Sequence, residues 1–353
     1  MTRRSTSLGL ALSLLGLLAT HCKKVESKTS QPLPAYQGLF VLNEGQWTLS
    51  NASIDQIEPE YRSNLFQAVN GERLGDVANF WVREQDTLWI VLNGDRLLRK
   101  ILLPSFQQIG SLSFPLGSSP REFLRLSPDK AYVNSLLDAK IYRLHPATLT
   151  LLSPPILVEN YMESLLYAQG RVWVSCGNYA YPARNHKLAC IDPVRDTVLF
   201  YVNLPVENPG PLLELPNGGI LVGCRGNYAD QKGLLAHIDP QTGHILRTVP
   251  LSTSVFQLAL YNEAVYMLTD SGVTKYDPTT GTVDYTFLSR GRLGLPEHHL
   301  IYGFMYDNVS QRWLIANARS GGMQGEILWV RPDKTIEKRQ DVGVFPAKFL
   351  RYP

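Results

Sequence analysis

Aromatic and basic side chains are concentrated in the polar loops of the sequence, where they could contact a large, flat, polar ligand. The candidate contacts are Trp47, Arg73, Arg121, Tyr179, Tyr181, Arg225, Tyr228, Arg292, His298 and Arg319. Aromatic rings offer a large contact area at small entropic cost, and the guanidinium fork recognises carboxylate, amide or phosphate oxygens. Any one of these residues could instead be a solvated loop side chain, so the predicted binding surface rests on the group.

The tripeptide Gly-Asn-Tyr occurs twice among these loops, at residues 177–179 and 226–228. It could supply a binding tyrosine in each loop, or it could be turn chemistry in which the tyrosine folds back on its own hairpin. The sequence leaves both interpretations open.

Signals for catalysis or for a metal are weak. The sequence has no Gly-x-Ser-x-Gly elbow, no His-Glu-x-x-His motif, no Walker loop and no Cys/His spacing of the zinc type. The pair His298-His299 could bind a metal or transfer protons, with an incidental loop pair as the alternative. We also see no acidic set on the predicted inner strands, which a propeller lactonase would need for calcium. We therefore predict no catalytic residue, no metal site, no cofactor and no enzyme.

The elements that carry these loops are revealed by a repeat. Residues 171–193 and 219–240 share the order strand, polar loop, strand and Asp-Pro. Looser copies end at seven prolines, which are Pro59, Pro104, Pro146, Pro193, Pro240, Pro278 and Pro332. They lie between 38 and 54 residues apart, which is the period of a four-stranded propeller blade. Asp192, Asp239 and Asp277 recur at one repeat position, so we predict that they end strands.

The repeat predicts an all-β protein, a seven-bladed β-propeller of four-stranded antiparallel blades. Its second strands are predicted within residues 39–42, 87–92, 131–133, 172–174, 220–222, 264–268 and 313–316. The mature chain shows no convincing amphipathic helix of ten or more residues. Because the chain begins with a second-strand pattern, we predict that residues 346–352 supply the inner strand of that first blade and close the ring.

The loops between second and third strands are long in four blades, at residues 43–52, 177–187, 225–232 and 317–325. By propeller geometry they share one rim with the connections between blades, including residues 69–76, 116–121 and 289–299. Insertions into a repeat usually map to the functional face. The candidate binding residues are therefore predicted to lie on one elaborated face, which we call the loop face.

The amino terminus has the features of an export signal. Arg3 and Arg4 precede an apolar run that is too short to span a membrane, and Cys22 follows it as the predicted lipidated residue. The alternative is cleavage near Ala19. We predict a signal peptide at 1–21, a tether at 22–36 and a propeller at 37–353. Cys176, Cys190 and Cys224 remain; we expect buried free thiols, with a Cys176–Cys190 bridge as the alternative.

The overall composition is that of a globular protein with no nucleic-acid footprint. Hydrophobic residues make up 44 % of the chain, charged residues 18 %, and the formal net charge is +3. A nucleic-acid-binding protein would show clustered, excess positive charge.

The opening of the mature sequence resembles a known family. Leu42-Asn43-Glu44-Gly45, then residues 50–54 (SNASI) and 74–79 (LGDVAN), resemble the YncE-like, YVTN-repeat surface propellers of Bacteroidetes-type bacteria. That family includes cobalamin-capturing lipoproteins of the BtuG kind. The resemblance implies an outer-membrane lipoprotein, on the cell surface or the periplasmic face. It would bind cobalamin or another corrinoid and pass it to a TonB-dependent transporter. The alternative is a propeller scaffold for a protein or cell-wall partner, which a flat face without a central pocket would favour.

Overall fold

The computed structural model describes residues 34–159, 161–177 and 185–353, which form seven antiparallel sheets around a central channel. The innermost strand of each sheet contacts the innermost strands of both neighbouring sheets, so the ring is complete. The predicted seven-bladed propeller is therefore confirmed.

The chain enters the ring at its first blade and completes three further blades in order. The elements of this half are β1 (Gly38–Asn43), β2 (Ser53–Glu58), α1 (Leu65–Asn70), β3 (Ala78–Glu84), β4 (Thr87–Leu92), β5 (Leu97–Leu102), β6 (Gln107–Ser113), β7 (Pro120–Ser127), β8 (Lys130–Ser135), β9 (Lys140–His145), β10 (Thr150–Leu157), β11 (Met162–Ala168), β12 (Arg171–Cys176), β13 (Lys187–Asp192) and β14 (Thr197–Asn203). Strands β3–β6, β7–β10 and β11–β14 are the second, third and fourth blades.

The second half adds three more four-stranded blades and the closing strand. Its elements are β15 (Pro209–Glu214), β16 (Ile220–Cys224), β17 (Leu234–Ile238), β18 (Ile245–Pro250), β19 (Val255–Tyr261), β20 (Ala264–Thr269), β21 (Gly272–Tyr276), β22 (Val283–Ser289), β23 (Ile301–Asp307), β24 (Arg312–Asn317), β25 (Gln324–Val330), β26 (Ile336–Val344) and β27 (Pro346–Tyr352). Strands β15–β18, β19–β22 and β23–β26 are the fifth, sixth and seventh blades.

The carboxy-terminal strand closes the ring as predicted. β27 pairs antiparallel with β1, with Gly38 opposite Tyr352 and Val41 opposite Phe349. Side chains tie this blade to the seventh: Trp329 Nε1 donates to Glu58 Oε1 at 2.8 Å, and the Arg351 guanidinium bridges Glu58 and Asp307.

The first blade departs from the predicted four strands. It contains β2, β1 and β27, and the residues after β2 form the short helix α1 in place of an outer strand. Leu65 and Phe66 of α1 are buried in the core shared with the second blade. Asn70 joins the helix to that blade, because its side chain donates to the Phe106 carbonyl and accepts from the Gln108 amide.

Apolar residues on both faces of the second strands form the cores between blades. In β4, Leu88, Ile90 and Leu92 pack toward the first blade, whereas Trp89 and Val91 pack toward the third. This alternation follows from the two-residue period of a strand. In the outermost strands β6 and β14, half-buried residues alternate with exposed ones. A continuous apolar run therefore marks a second strand.

The three cysteines within the described residues are free and buried. Cys190 lies opposite Trp173 on β12, whereas Cys176 lies opposite Lys187, so the two thiols occupy different levels of the ladder. Burial raises the pKa of the Cys176 and Cys224 thiols to about 12. In the part of the chain that the structure describes, no helix has the length and apolar character needed to cross a membrane.

Candidate functional site

A cavity of about 610 Å³ occupies the loop-face end of the central channel. Its walls are formed by residues near the start of each inner strand, chiefly those at the second and third positions. These wall residues are Asn79, Arg121, Glu122, Glu163, Ser164, Gly210, Phe256, Gln257, Tyr302, Ala347 and Lys348. Loop residues such as Glu44, Arg225, Asp270 and Arg290 complete the lining. The cavity is thus where the long loops meet the channel.

Two arginines from different blades share one buried glutamate in this cavity. Arg121 Nη2 lies 2.8 Å from Glu163 Oε2, and Arg225 Nη1 lies 3.0 Å from Glu163 Oε1. Burial by itself would raise the pKa of Glu163, but the two cations lower it to about 2. The glutamate in turn raises the pKa of both arginines against the effect of burial. The trio remains charged and carries one net positive charge.

Arg225 is held between a glycine and an aromatic ring. A methyl group on Gly210 would come within 3.3 Å of the guanidinium, so glycine leaves the space that this side chain fills. On the other side, the guanidinium carbon lies 5.7 Å from the centroid of the Phe256 ring. Tyr228 interacts with the same guanidinium through its side chain. The Arg225 Nε atom is buried and has no hydrogen-bond partner among the described residues.

Two further carboxyl groups are shifted toward their neutral form. Burial raises the pKa of Glu44, although its contact with the Tyr302 hydroxyl, at 2.8 Å, opposes the shift. Burial also raises the pKa of Glu122, which accepts hydrogen bonds from Ser164 Oγ and the Leu165 amide at 3.0 and 2.8 Å. The raised pKa values mean that these two carboxyl groups offset the neighbouring cations less readily than ordinary glutamates would.

Lys348 is the cation of the cavity that lies deepest along its inner strand. It is the third residue of β27, and it forms no ion pair with a carboxylate anywhere in the described ranges. Its ammonium nitrogen lies 5.7 Å from the centroid of the Phe80 ring. Lys348 also favours the charged forms of Glu44 and Glu122 without reversing their pKa shifts.

The structure brings together only part of the predicted site. Arg121 and Arg225 line the cavity, and Tyr228 reaches its rim through Arg225. Trp47 is 61 % exposed on the loop after β1. Arg73, Arg292 and His298 are also exposed but do not line the cavity.

Arg319 is tied to its own blade. Its guanidinium contacts Asp341 and Glu326 and donates to the Gln324 carbonyl. The other three predicted residues, Tyr179, Tyr181 and the lipidation site Cys22, lie outside the described residues.

Inner-strand residues were missed by sequence reasoning. The expectation that the inner strands carry no acidic set is wrong, because Glu122 and Glu163 lie on β7 and β11 and face the cavity. Their position, immediately after the start of each inner strand, is the signal that could have found them. They are held by arginines and backbone amides, and within the described ranges no group of three His, Cys, Asp or Glu side chains is arranged to bind a metal.

The recurrent aspartates are structural, as predicted from the repeat. Oδ1 of Asp192 accepts the amides of Val194 and Arg195. Asp239 and Asp277 each cap the turn after their strand in the same way, two and three residues on. These hydrogen bonds to backbone amides explain why aspartate recurs there.

The second Gly-Asn-Tyr tripeptide forms a turn, and its tyrosine stays partly exposed. Asn227 Oδ1 accepts the amides of Ala229 and Gln231, which is turn chemistry. Tyr228 follows with a left-handed backbone and remains 45 % exposed at the cavity rim.

Comparison with known proteins supports the architecture. No protein-family model matches the sequence, and no curated protein matches it. The structure is similar to a quinoprotein alcohol dehydrogenase-like protein from Bacteroides thetaiotaomicron. The TM-score is 0.66 at 12 % identity, over 89 % of this chain and 78 % of that one. It is also similar to hydrazine synthase from Kuenenia stuttgartiensis, with a TM-score of 0.55 at 12 % identity, over 69 % and 73 % of the two chains. At this identity the likeness shows the fold alone.

Proposed function

We propose that this protein captures a bulky, polar ligand on its loop face and draws an anionic or amide side group of that ligand into the channel cavity. The observation that carries the proposal is the cavity of about 610 Å³, lined by Arg121, Arg225, Arg290 and Lys348. A volume of this size is typical of small-molecule sites. Among the lining carboxyl groups, Glu163 is paired with two arginines, burial raises the pKa of Glu44 and Glu122, and Asp270 accepts hydrogen bonds from Thr253 and Ser254.

The cavity also favours ligand capture over a pure scaffold role. A scaffold that binds a protein or cell-wall partner would need a broad, flat contact surface. The loop face instead has a polar depression at its centre, surrounded by exposed side chains such as Trp47 and Tyr228. Capture without catalysis is the simplest use of this arrangement.

We propose a corrinoid such as cobalamin as the ligand, and a TonB-dependent outer-membrane transporter as the recipient. The resemblance of the opening residues to the cobalamin-capturing propellers supports this choice. A corrinoid is larger than the cavity, so it would lie across the face while one of its amide or phosphate groups enters. Lipidation at Cys22 would hold the protein beside its partner and raise its effective concentration there.

Calorimetric titration of the purified protein with cobalamin and with its precursor cobinamide tests the proposal. We expect saturable binding at micromolar or tighter affinity for at least one of them. Absence of heat at high protein concentration would remove the corrinoid and make a macromolecular partner the better hypothesis.

Replacement of two exposed aromatic residues tests where the ligand binds. We expect the double replacement Trp47→Ala and Tyr228→Ala to weaken corrinoid binding by about tenfold or more, because aromatic anchors dominate such contacts. The matched control is Tyr167→Ala, since Tyr167 is 48 % exposed and lies near the carboxyl end of β11. Unchanged affinity in the double variant would overturn the assignment of these residues.

A further inference from the structure

A second cavity, of about 340 Å³, lies at the other end of the channel. Its lining includes the carboxyl halves of β19 and β23 and Asn308 in the turn after β23, together with residues of β3, β20, β24 and β27. These inner-strand hairpin turns lie on the face opposite the loop face, so we call this the hairpin-face cavity. None of the predicted binding residues that the structure describes lines it.

The walls of the hairpin-face cavity are predominantly aromatic. The rings of Tyr261 and Tyr306 lie with centroids 4.0 Å apart and planes inclined by 31°. Trp313 meets Tyr306 edge-on at 5.0 Å and Tyr266 at 4.5 Å. Trp81, Phe304 and Phe349 also line this cavity. Such a set of ring faces and edges is suited to a flat, aromatic guest.

One cation stands at the inner end of these aromatic walls. Lys348 and Gln257 line both cavities, so they mark the level at which the polar and aromatic parts of the channel meet. In the described part of the chain Lys348 forms no ion pair within 4 Å, although it is close enough to Glu44 and Glu122 to favour their charged forms. An anion that enters from the hairpin face could therefore reach its ammonium group.

We propose that the hairpin-face cavity binds a planar aromatic carboxylate. The ring would pack among Tyr261, Tyr306 and Trp313, and the carboxylate would pair with Lys348. Aromatic packing without the cation would suit a neutral ring equally well, and the cation without the rings would suit any anion. Their combination around one cavity specifies the class. The inference does not depend on the proposed corrinoid function, because it concerns the opposite mouth of the channel.

The test uses 2-naphthoate as the probe and the full-length protein. We expect saturable binding by calorimetry, with a change in tryptophan fluorescence because Trp81 and Trp313 line the cavity. Lys348→Met should weaken binding by about tenfold or more through loss of a charge-assisted contact. The matched control is Lys275→Met, because Lys275 is also a partly buried strand lysine but lies on β21, outside both cavities.

Variants that fill the hairpin-face cavity distinguish binding at this site from binding at the loop face. Ala259→Leu, and independently Leu260→Trp, place extra volume among the lining residues and should abolish naphthoate binding while thermal unfolding stays cooperative. Either variant suffices if the other does not fold. The proposal is overturned if naphthoate gives no saturable signal at millimolar concentration, if neutral 2-naphthol binds as tightly, or if a folded filling variant binds unchanged. Corrinoid titration of the same variants reports on the loop face separately.

Discussion

The loop-face end of the channel holds charges that are stabilised by other charges, whereas the hairpin-face end holds aromatic rings that pack on one another. The inner strands β3, β19, β23 and β27 contribute to both ends, at different positions along each strand, and β7, β11 and β15 contribute to the loop-face end. Arg121 and Glu163 are second residues of β7 and β11, whereas Tyr261 is the last residue of β19. One scaffold can thus present two kinds of site through two levels of the same strands.

The largest effect is expected from removal of β27, a strand that lines both ends of the channel. Ala347 and Lys348 line the loop-face cavity, and Lys348 and Phe349 line the hairpin-face cavity. We expect deletion of residues 346–353 to abolish cooperative folding, because β1 would lose its inner partner and the ring would open. Circular dichroism and thermal unfolding measure this effect. Deletion of Pro353 alone leaves β27 intact and serves as control; a folded long deletion would show that β27 does not close the ring.

The next largest effect is expected from Glu163→Gln. The substitution leaves Arg121 and Arg225 buried without their shared counter-charge, and loss of one partner from a buried ion pair costs about 3–5 kcal/mol. Urea denaturation near neutral pH measures the change in unfolding free energy. The control is Glu72→Gln: Glu72 pairs with Arg99 but its side chain is 51 % exposed. We expect that control to cost less than about 1 kcal/mol. Equal costs would mean that the buried trio behaves like a surface ion pair.

A third prediction concerns the dependence of stability on pH, which should have opposite signs for two carboxyl groups of the loop-face cavity. The lowered pKa of Glu163 contributes stability that is complete above its ordinary value of 4.5 and is lost as pH falls toward 2. The free-energy difference between wild type and Glu163→Gln should therefore shrink on acidification. The raised pKa of Glu122 has the reverse effect, because burial opposes its ionisation as pH rises above 4.5.

Glu122→Gln should consequently become more stable relative to wild type with increasing pH. Denaturation series between pH 3 and 7 for both variants measure the two slopes. Slopes of the same sign would contradict the assignment of one lowered and one raised carboxyl pKa.

The smallest effect is expected at the exposed rim of the loop face. Arg292 is exposed and does not line the cavity, so Arg292→Gln should change the unfolding free energy by less than about 0.5 kcal/mol. Calorimetry with the corrinoid then asks whether the rim takes part in binding. Reduced affinity in a fully stable variant would extend the site outward from the channel, and unchanged affinity would confine it to the cavity and its nearest aromatic residues.

The fold could be predicted because its signals are local and repeated. The turn that follows a third strand needs an aspartate such as Asp239 to accept two amides, and this need recurs from blade to blade. Second strands are buried on both faces, so stretches such as residues 87–92 are apolar throughout. The missing outer strand of the first blade could not be foreseen from this pattern, because α1 replaces it through contacts with the second blade.

The channel sites were less predictable because their residues become neighbours only when the ring closes. Glu163 meets Arg225 across 62 positions of sequence, and Glu44 meets Tyr302 across 258. A glutamate near the start of a strand looks like a solvated edge residue until six other strands surround it. Arginine in a polar loop is conspicuous, so Arg121 and Arg225 are predictable from the sequence, whereas Lys348 shows only the pattern of a closing strand.

The closing strand also determines when, during synthesis, the protein can bind a ligand. A ribosome makes β1 before β27, so the first blade lacks its inner strand until β27 has been made. Lys348, which borders both cavities, lies on that closing strand. A ligand that needs the finished cavities would bind the closed ring and not its precursors, and would stabilise closure by mass action. Ligand occupancy would then report that the ring had closed.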